Sequence, residues 1–122
     1  AEDFTEAAGW GFNMTTAPEI WHKSLTPLGH NIRQAIGDHP CYLTYDIDSL
    51  DPAYAPGTGT PEIGGLTTPQ AMELIRALRG LNIIGFDMVE VSPMYDTSGN
   101  TALTAANLIF EILSILPGVA FR

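Results

Sequence analysis

Two apolar segments that favour β structure, Cys41 to Ile47 and Ile83 to Val91, constrain the fold of this chain more than any other feature. Between them, Met72, Ile75 and Leu78 recur at helical spacing and share one face. A strand, a helix and a second strand in this order predict a crossover connection between parallel strands. Continuous apolar strands are typical of a parallel sheet that is covered on both faces. We therefore expect an α/β fold with a parallel sheet.

The segments around these strands predict shorter elements. Thr67 or Thr68 is expected to cap the helix between the strands, with Pro69 at its first position. Residues 28–36 carry an apolar residue every fourth position and predict a short helix before Gly37. Three further elements are predicted: a weak strand over residues 12–16, one helical turn within residues 17–28, and a closing helix over residues 101–116.

Length and charge limit the classes of partner. The chain has 122 residues, which suits one domain, and a formal net charge of −9. Such an acidic chain lacks the basic side chains that bind nucleic acid or anionic membranes, so we expect neither partner and instead a cation. No apolar segment reaches the roughly 18 residues of a membrane span. The single cysteine, Cys41, cannot form an internal disulfide bond and favours a reducing compartment such as the cytoplasm.

Acidic residues follow both predicted strands. Asp46, Asp48 and Asp51 lie at the end of the first strand, and Glu90 lies at the end of the second. Ligands of parallel sheets collect at these carboxyl ends. On a strand, Asp46 and Asp48 would share a face, and two adjacent carboxylates repel each other unless a cation or a proton lies between them. A divalent metal such as Mg²⁺ or Mn²⁺ fits, although acids that cap helices or solvate a turn would give the same pattern.

Other sites with an Asp-x-Asp pattern fit less well. A calcium loop needs an oxygen ligand and then a glycine where Leu50 and Asp51 stand, and a haloacid-dehalogenase-type phosphatase needs Thr or Val in place of Leu50. A phosphate-binding P-loop needs Gly-Lys, whereas the only lysine is Lys23. A nucleotide-sugar transferase remains possible on the aspartate pair alone. The loop over residues 48–66 is long and rich in Pro and Gly, and such a loop in a compact domain indicates a functional segment.

Several motifs in this region resemble one family. They are Asp-x-Asp-x-x-Asp-Pro at residues 46–52, Pro-Gly-Thr-Gly-Thr-Pro at 56–61, Gly-Gly-Leu-Thr at 64–67, the strand over 82–93, and Pro-Met-Tyr-Asp at 93–96. In this order they resemble the ureohydrolases, that is, arginases, agmatinases and their relatives, and most of all the agmatinases. The similarity extends over nearly the whole chain.

The resemblance implies a three-layer α/β/α fold with a mostly parallel sheet, of which residues 1–122 would be the C-terminal segment of a single domain. It implies a site with two Mn²⁺ ions, whose bridging hydroxide hydrolyses a guanidino compound to urea and an amine. By the family pattern, Asp46 would bridge both metals and Asp48 would bind one. Glu90 would hold the substrate guanidinium as the catalytic and binding glutamate, Thr60 would line the pocket, and Asp51 would order the loop.

The resemblance also implies a cationic, agmatine-like substrate and a homo-oligomer, either a trimer or a hexamer. Two family motifs that supply histidine ligands, Gly-Gly-Asp-His and Asp-Ala-His-x-Asp, do not occur in this sequence. His22, His30 and His39 precede the aspartates without metal-binding spacing. We therefore expect residues 1–122 alone to be inactive. Two alternatives stay open: a non-catalytic partner subunit derived from a ureohydrolase, and a metal-dependent transferase that uses only the aspartate pair.

Overall fold

The computed structural model describes residues 2–120, which form five α-helices, two β-strands and two short 3₁₀ turns. In chain order these elements are α1 (Glu2–Gly9), α2 (Ala17–Ile20), α3 (Thr26–Ile36), β1 (Pro40–Asp46), a 3₁₀ turn (Ile47–Ser49), α4 (Thr68–Ala77), β2 (Asn82–Val89), a 3₁₀ turn (Pro93–Tyr95) and α5 (Asn100–Ile115). The predicted strands and the three longer predicted helices are confirmed, with bounds that differ by a few residues.

The weak strand predicted over residues 12–16 is wrong. These residues are neither helix nor strand, and residues 13–15 instead lie beside α3, where they line a shared cavity with Leu28 and Ile32. A strand must pair its backbone groups with a neighbour. Among residues 2–120, the single sheet consists of β1 and β2, and the segment over residues 12–16 is not one of its strands.

The two strands are parallel, and α4 lies in the connection between them. The register pairs Cys41 with Ile83 and Tyr42 with Gly85, so Ile84 forms a bulge. At the other end Asp46 pairs with Val89. Because the strands are parallel and in this register, their carboxyl ends lie side by side at one edge of the sheet.

Helix α4 begins with a capping box, as its sequence predicts. The Thr67 hydroxyl accepts a hydrogen bond from the Gln70 backbone N–H, and the Gln70 side chain in turn accepts from the Thr67 backbone N–H. Pro69 occupies the second helical position, one later than predicted, where no intrahelical N–H is needed. This cap fixes the point at which the long loop of residues 48–66 rejoins regular structure.

The hydrophobic core lies between one face of the sheet and the helices α4 and α5. It contains Tyr45 and Ile83 from the strands and buried residues of the two helices, namely Ala71, Ile75, Leu78, Ala105, Leu108, Ile112 and Ile115. The other face of the sheet is open within residues 2–120, where Tyr42 is 61% and Ile84 70% exposed. The expected burial of both faces is thus not met by the described part of the chain. None of its helices combines the length and the apolar character that a membrane crossing requires.

Candidate active site

The candidate site lies at the edge of the sheet where β1 and β2 end. Asp46 is the last residue of β1, and Glu90 follows the last residue of β2. The pairing of Asp46 with Val89 places Asp46 and Glu90 at the same edge, as the sequence predicts. Glu90 has a φ of 64°, in the left-handed region that residues other than glycine rarely adopt. Such backbone conformations persist only where the surrounding structure holds them in place, and they are concentrated at functional sites.

The relation between Asp46 and Asp48 differs from the prediction. They were expected on one face of a strand, but β1 ends at Asp46 and Asp48 lies in the following 3₁₀ turn. Oδ1 of Asp46 accepts a hydrogen bond of 3.1 Å from the Asp48 backbone N–H and so caps this turn. Aspartate side chains favour such local bonds to the backbone two residues on. The two carboxylates stay close together, although the turn sets their arrangement.

The charges around Asp46 favour a cation. Partial burial is the largest cause of a raised pKa of the Asp46 carboxyl, and the negative charges of Asp48 and Glu90 raise it further, against the hydrogen bond from the Asp48 N–H. The carboxylates of the two strand ends therefore interact electrostatically. A bound cation or a proton would relieve their repulsion.

Thr60 makes a contact that sequence reasoning did not predict. Its hydroxyl donates a hydrogen bond of 2.7 Å to Oδ2 of Asp48. Thr60 was singled out for a pocket, and its position beside Asp48 brings it to the carboxylates at the end of β1. The hydrogen bond attaches the middle of the long loop to this end of the strand.

Asp51 orders the loop, as expected. Its carboxylate accepts hydrogen bonds of 2.8 Å from the backbone N–H groups of Ala53 and Gly64, which lie at opposite ends of the loop. These bonds lower the pKa of Asp51, with the Ala53 bond as the largest cause. Leu50 and Leu66 form a β-bridge beside them, so the loop closes on itself at its base.

Sequence reasoning missed a second anchor of the loop, formed by Gly57, Asp96 and Thr101. The Gly57 N–H donates to Oγ1 of Thr101, which is fully buried, and the Asp96 carboxylate accepts from the Thr101 N–H. The local signal was the run Asp-Thr-Ser-Gly at residues 96–99, which is typical of a turn in which an aspartate side chain bonds to the backbone.

The donor set suits a hard divalent ion but forms only part of a site. Carboxylate oxygens are preferred ligands of Mg²⁺ and Mn²⁺, and the repulsion around Asp46 is what such an ion relieves. Among residues 2–120, however, no group of three or more His, Cys, Asp or Glu side chains is spaced to hold a metal ion. The described residues therefore fit as contributors to a metal site that further ligands must complete.

Comparison with known proteins shows close relatives. The chain is 60% identical over 122 residues to a guanidinobutyrase of Pseudomonas aeruginosa, and the alignment covers 100% of this chain and 38% of that protein. It is 63% identical over 109 residues to a mitochondrial agmatinase of Gallus gallus, and the alignment covers 89% of this chain and 32% of that protein. The chain thus spans about a third of the length of these relatives.

The fold agrees with these relatives. The structure matches a crystal structure of a hypothetical agmatinase from Burkholderia thailandensis with a TM-score of 0.82 and 45% sequence identity, over 86% of this chain and 33% of that one. This similarity confirms the predicted α/β fold. A family model described as the arginase family matches residues 1–114, nearly the whole sequence. The chain therefore belongs to the arginase family.

Proposed function

We propose that this chain is the C-terminal part of a single-domain guanidino hydrolase, which releases urea and an amine from an agmatine-like substrate. The observation that carries the proposal is the placement of Asp46, Asp48 and Glu90 at one edge of the sheet, where the two parallel strands end. Carboxylates gathered at one edge repel one another and favour a bound cation, and both a divalent metal and a guanidinium are cations. The names of the two curated relatives support hydrolysis of a guanidino compound.

Asp46 and Asp48 are the residues that would hold Mn²⁺, with Asp46 bridging two ions and Asp48 binding one. The remaining ligands would come from outside the described residues, since these contain no complete group of ligands. Two bound divalent ions supply a nucleophile near neutral pH, because they lower the pKa of water. The chain's own part is to fix these two carboxylates, which the turn after β1 and the bond from Thr60 accomplish.

Glu90 would hold the substrate. Its carboxylate can accept charge-assisted hydrogen bonds from a guanidinium, whose planar N–H groups match two carboxylate oxygens. The left-handed backbone at Glu90 sets the direction in which the residue leaves β2, and the strand register keeps it beside Asp46. Thr60 would line the pocket on the other side. Orientation of the guanidinium carbon is valuable because well-oriented reactants lower the barrier by several kcal/mol, about 7–11 in favourable cases.

The substrate is proposed as a cationic guanidino compound. The net charge of −9 favours approach of a cation such as agmatine. Guanidino acids are the competing class, since one relative is named a guanidinobutyrase and the other an agmatinase. We further propose a homo-oligomer in the cytoplasm, on the resemblance and on the single cysteine.

An assay of urea release by the complete protein, that is, this chain together with the segments that supply the other ligands, tests the proposal. With Mn²⁺ present, we expect urea from agmatine and less from 4-guanidinobutyrate. Urea release would exclude the transferase alternative. A purified complete protein with Mn²⁺ bound that releases urea from neither compound would contradict the proposed function and favour a non-catalytic partner subunit.

A further inference from the structure

Both backbone polar groups of Gly57, the N–H and the carbonyl, form hydrogen bonds with residues that follow β2. The Gly57 N–H donates a hydrogen bond of 2.8 Å to Oγ1 of Thr101, and the Gly57 carbonyl accepts one of 2.8 Å from the Ser92 N–H. Gly57 and Thr101 are buried, so neither bond is readily replaced by water. We call these three residues the Gly57 clamp.

The clamp depends on close contact that only glycine allows. A Cβ atom at Gly57 would lie 2.5 Å from Cβ of Asp96 and 3.0 Å from Oγ1 of Thr101. The first distance is too short for two carbon atoms, and Asp96 Cβ is not the flexible end of a long side chain. The loop therefore reaches Thr101 because residue 57 has no side chain.

Asp96 holds Thr101 in place from the other side. Its Oδ2 accepts from the Thr101 N–H, and its Oδ1 accepts from the N–H groups of Ser98 and Gly99 at 3.1 Å each and from the Ser98 hydroxyl at 2.9 Å. These bonds cap the first turn of α5, where Thr101 is the second residue. The position of the Thr101 hydroxyl is thus fixed by both the helix and the turn that precedes it.

The clamp connects the two sides of the candidate site. On one side, Gly57 lies three residues before Thr60, whose hydroxyl is bonded to Asp48. On the other side, Ser92 lies two residues after Glu90. A shift of Gly57 relative to Thr101 would therefore change the position of the loop relative to Glu90.

We infer that Thr101 is a positioning residue which, through Gly57, sets the distance between Glu90 and the loop that holds Asp48. The inference rests on the proposed function, in which Glu90 orients a guanidinium towards metal ions at Asp46 and Asp48. A displacement of about 1 Å between reacting groups can cost about 100-fold in rate. Thr101 touches neither substrate nor metal in this assignment.

The test replaces Thr101 by valine in the complete protein. Thr101→Val keeps the shape of the side chain and removes the oxygen that accepts from the Gly57 N–H. We expect the Gly57 amide to exchange its hydrogen at least about tenfold faster, while the amides in the second half of α5 are unchanged. We expect kcat/KM for the best guanidino substrate to fall by about tenfold or more, mostly in kcat, because substrate is still bound but held in a poorer geometry.

Matched variants separate positioning from general damage. Thr101→Ser keeps the oxygen and is expected to retain wild-type exchange and kinetics. Thr104→Val makes the same change three residues later in α5 and should alter neither. Gly57→Ala disturbs the same contact from the loop, through a Cβ atom that would meet Asp96 and Thr101, and should lower kcat as Thr101→Val does.

The outcomes are distinguishable. Suppose that the wild-type protein hydrolyses a guanidino compound. If kcat/KM of Thr101→Val is then within twofold of the wild type, or if hydrogen exchange at Gly57 is unchanged, the positioning role alone is overturned. A wild type that releases no urea would overturn the proposed function and the positioning role with it, while faster exchange in Thr101→Val would still show the clamp.

Discussion

The Thr60 hydroxyl donates a hydrogen bond of 2.7 Å to Oδ2 of Asp48, across a sequence separation of 12 residues. A residue assigned to the substrate pocket is thereby bonded directly to a residue assigned to the metal. The proposed substrate pocket and the proposed metal site are consequently joined by a hydrogen bond, so we expect a change at one residue to reach the other.

The first prediction concerns metal content. In the complete protein, Asp46→Ala should abolish binding of both Mn²⁺ ions and with it activity, because a bridging carboxylate serves both ions. Asp48→Ala should lose one ion preferentially. Metal analysis of the purified variants by mass spectrometry measures this directly. Asp38→Ala, which changes an exposed aspartate before β1, is the control and should keep the wild-type metal content. Two ions per chain in Asp46→Ala would refute the assignment of the bridging ligand.

The second prediction concerns Glu90. Glu90→Gln keeps the size of the side chain and removes the charge that would pair with a guanidinium. We expect kcat/KM to fall by about 100-fold or more, from the loss of a charged hydrogen bond of about 1.5–3 kcal/mol and from poorer orientation of the substrate. Metal content should be retained. Glu62→Gln, an exposed glutamate in the loop, is the matched control. Near-normal turnover by Glu90→Gln would mean that another group anchors the substrate.

The strands and longer helices could be predicted because their signals are local. Helix α4 has a capping threonine and an apolar face of regular period, and its observed start agrees with the prediction. The strand predicted over residues 12–16 is wrong because a strand forms only beside a partner strand, and no local sequence pattern reveals whether that partner is present. Helix α1 gave no clear signal, since its sequence is short and two glycines lie close together at its end, Gly9 in the last helical position and Gly11 just beyond it.

The sequence predicted that the candidate residues lie at one edge of the sheet, but it did not predict the hydrogen bonds that connect them. The strand ends bring Asp46 and Glu90 to one edge because parallel pairing requires it. The 3₁₀ turn at Asp48 arises from a side-chain bond to the backbone, which strand periodicity does not encode. The contacts of Thr60 with Asp48 and of Gly57 with Thr101 depend on the path of a long loop, and spacing along the sequence does not determine that path.

The third prediction concerns the order of the loop. Asp51→Asn leaves a single acceptor oxygen, so the side chain can no longer accept from both Ala53 and Gly64. We expect faster limited proteolysis of the complete protein within residues 52–64 and a lower kcat/KM. Asp38→Asn should leave the cleavage pattern unchanged. Equal cleavage rates in Asp51→Asn and the wild type would show that the two backbone bonds are not needed to order the loop.

The fourth prediction concerns pH and Glu73. Its carboxylate joins α4 to the start of α3, where it accepts from the hydroxyls of Ser24 and Thr26. The bond from Ser24 is the largest cause of a pKa lowered from 4.5 to about 2. Because the folded pKa lies below the unfolded one, this contribution to stability is fully present above pH 4.5 and is lost as pH falls through about 2.

Thermal unfolding of the metal-free complete protein between pH 7 and pH 2 checks this prediction. Glu73→Gln should lower Tm at pH 7, and the difference from the wild type should shrink towards pH 2. Glu6→Gln, an exposed glutamate in α1, should show neither effect. A difference in Tm that stays constant over this range would mean that Glu73 stabilises the protein through packing and not through its charge.

The last prediction concerns the 122 residues expressed alone. Within residues 2–120 the sheet has two strands, so its outer edges are unpaired, and Ile84 is 70% exposed on the open face. Open edges and apolar faces associate with other chains. We expect light scattering to give a mass above 13.1 kDa, and the chain to release no urea because its carboxylates do not complete a metal site. Ile84→Lys should reduce association, whereas Ile63→Lys, on an 85% exposed loop residue, should not. A monodisperse monomer that hydrolyses agmatine unaided would refute both the incompleteness of the site and the association through the sheet.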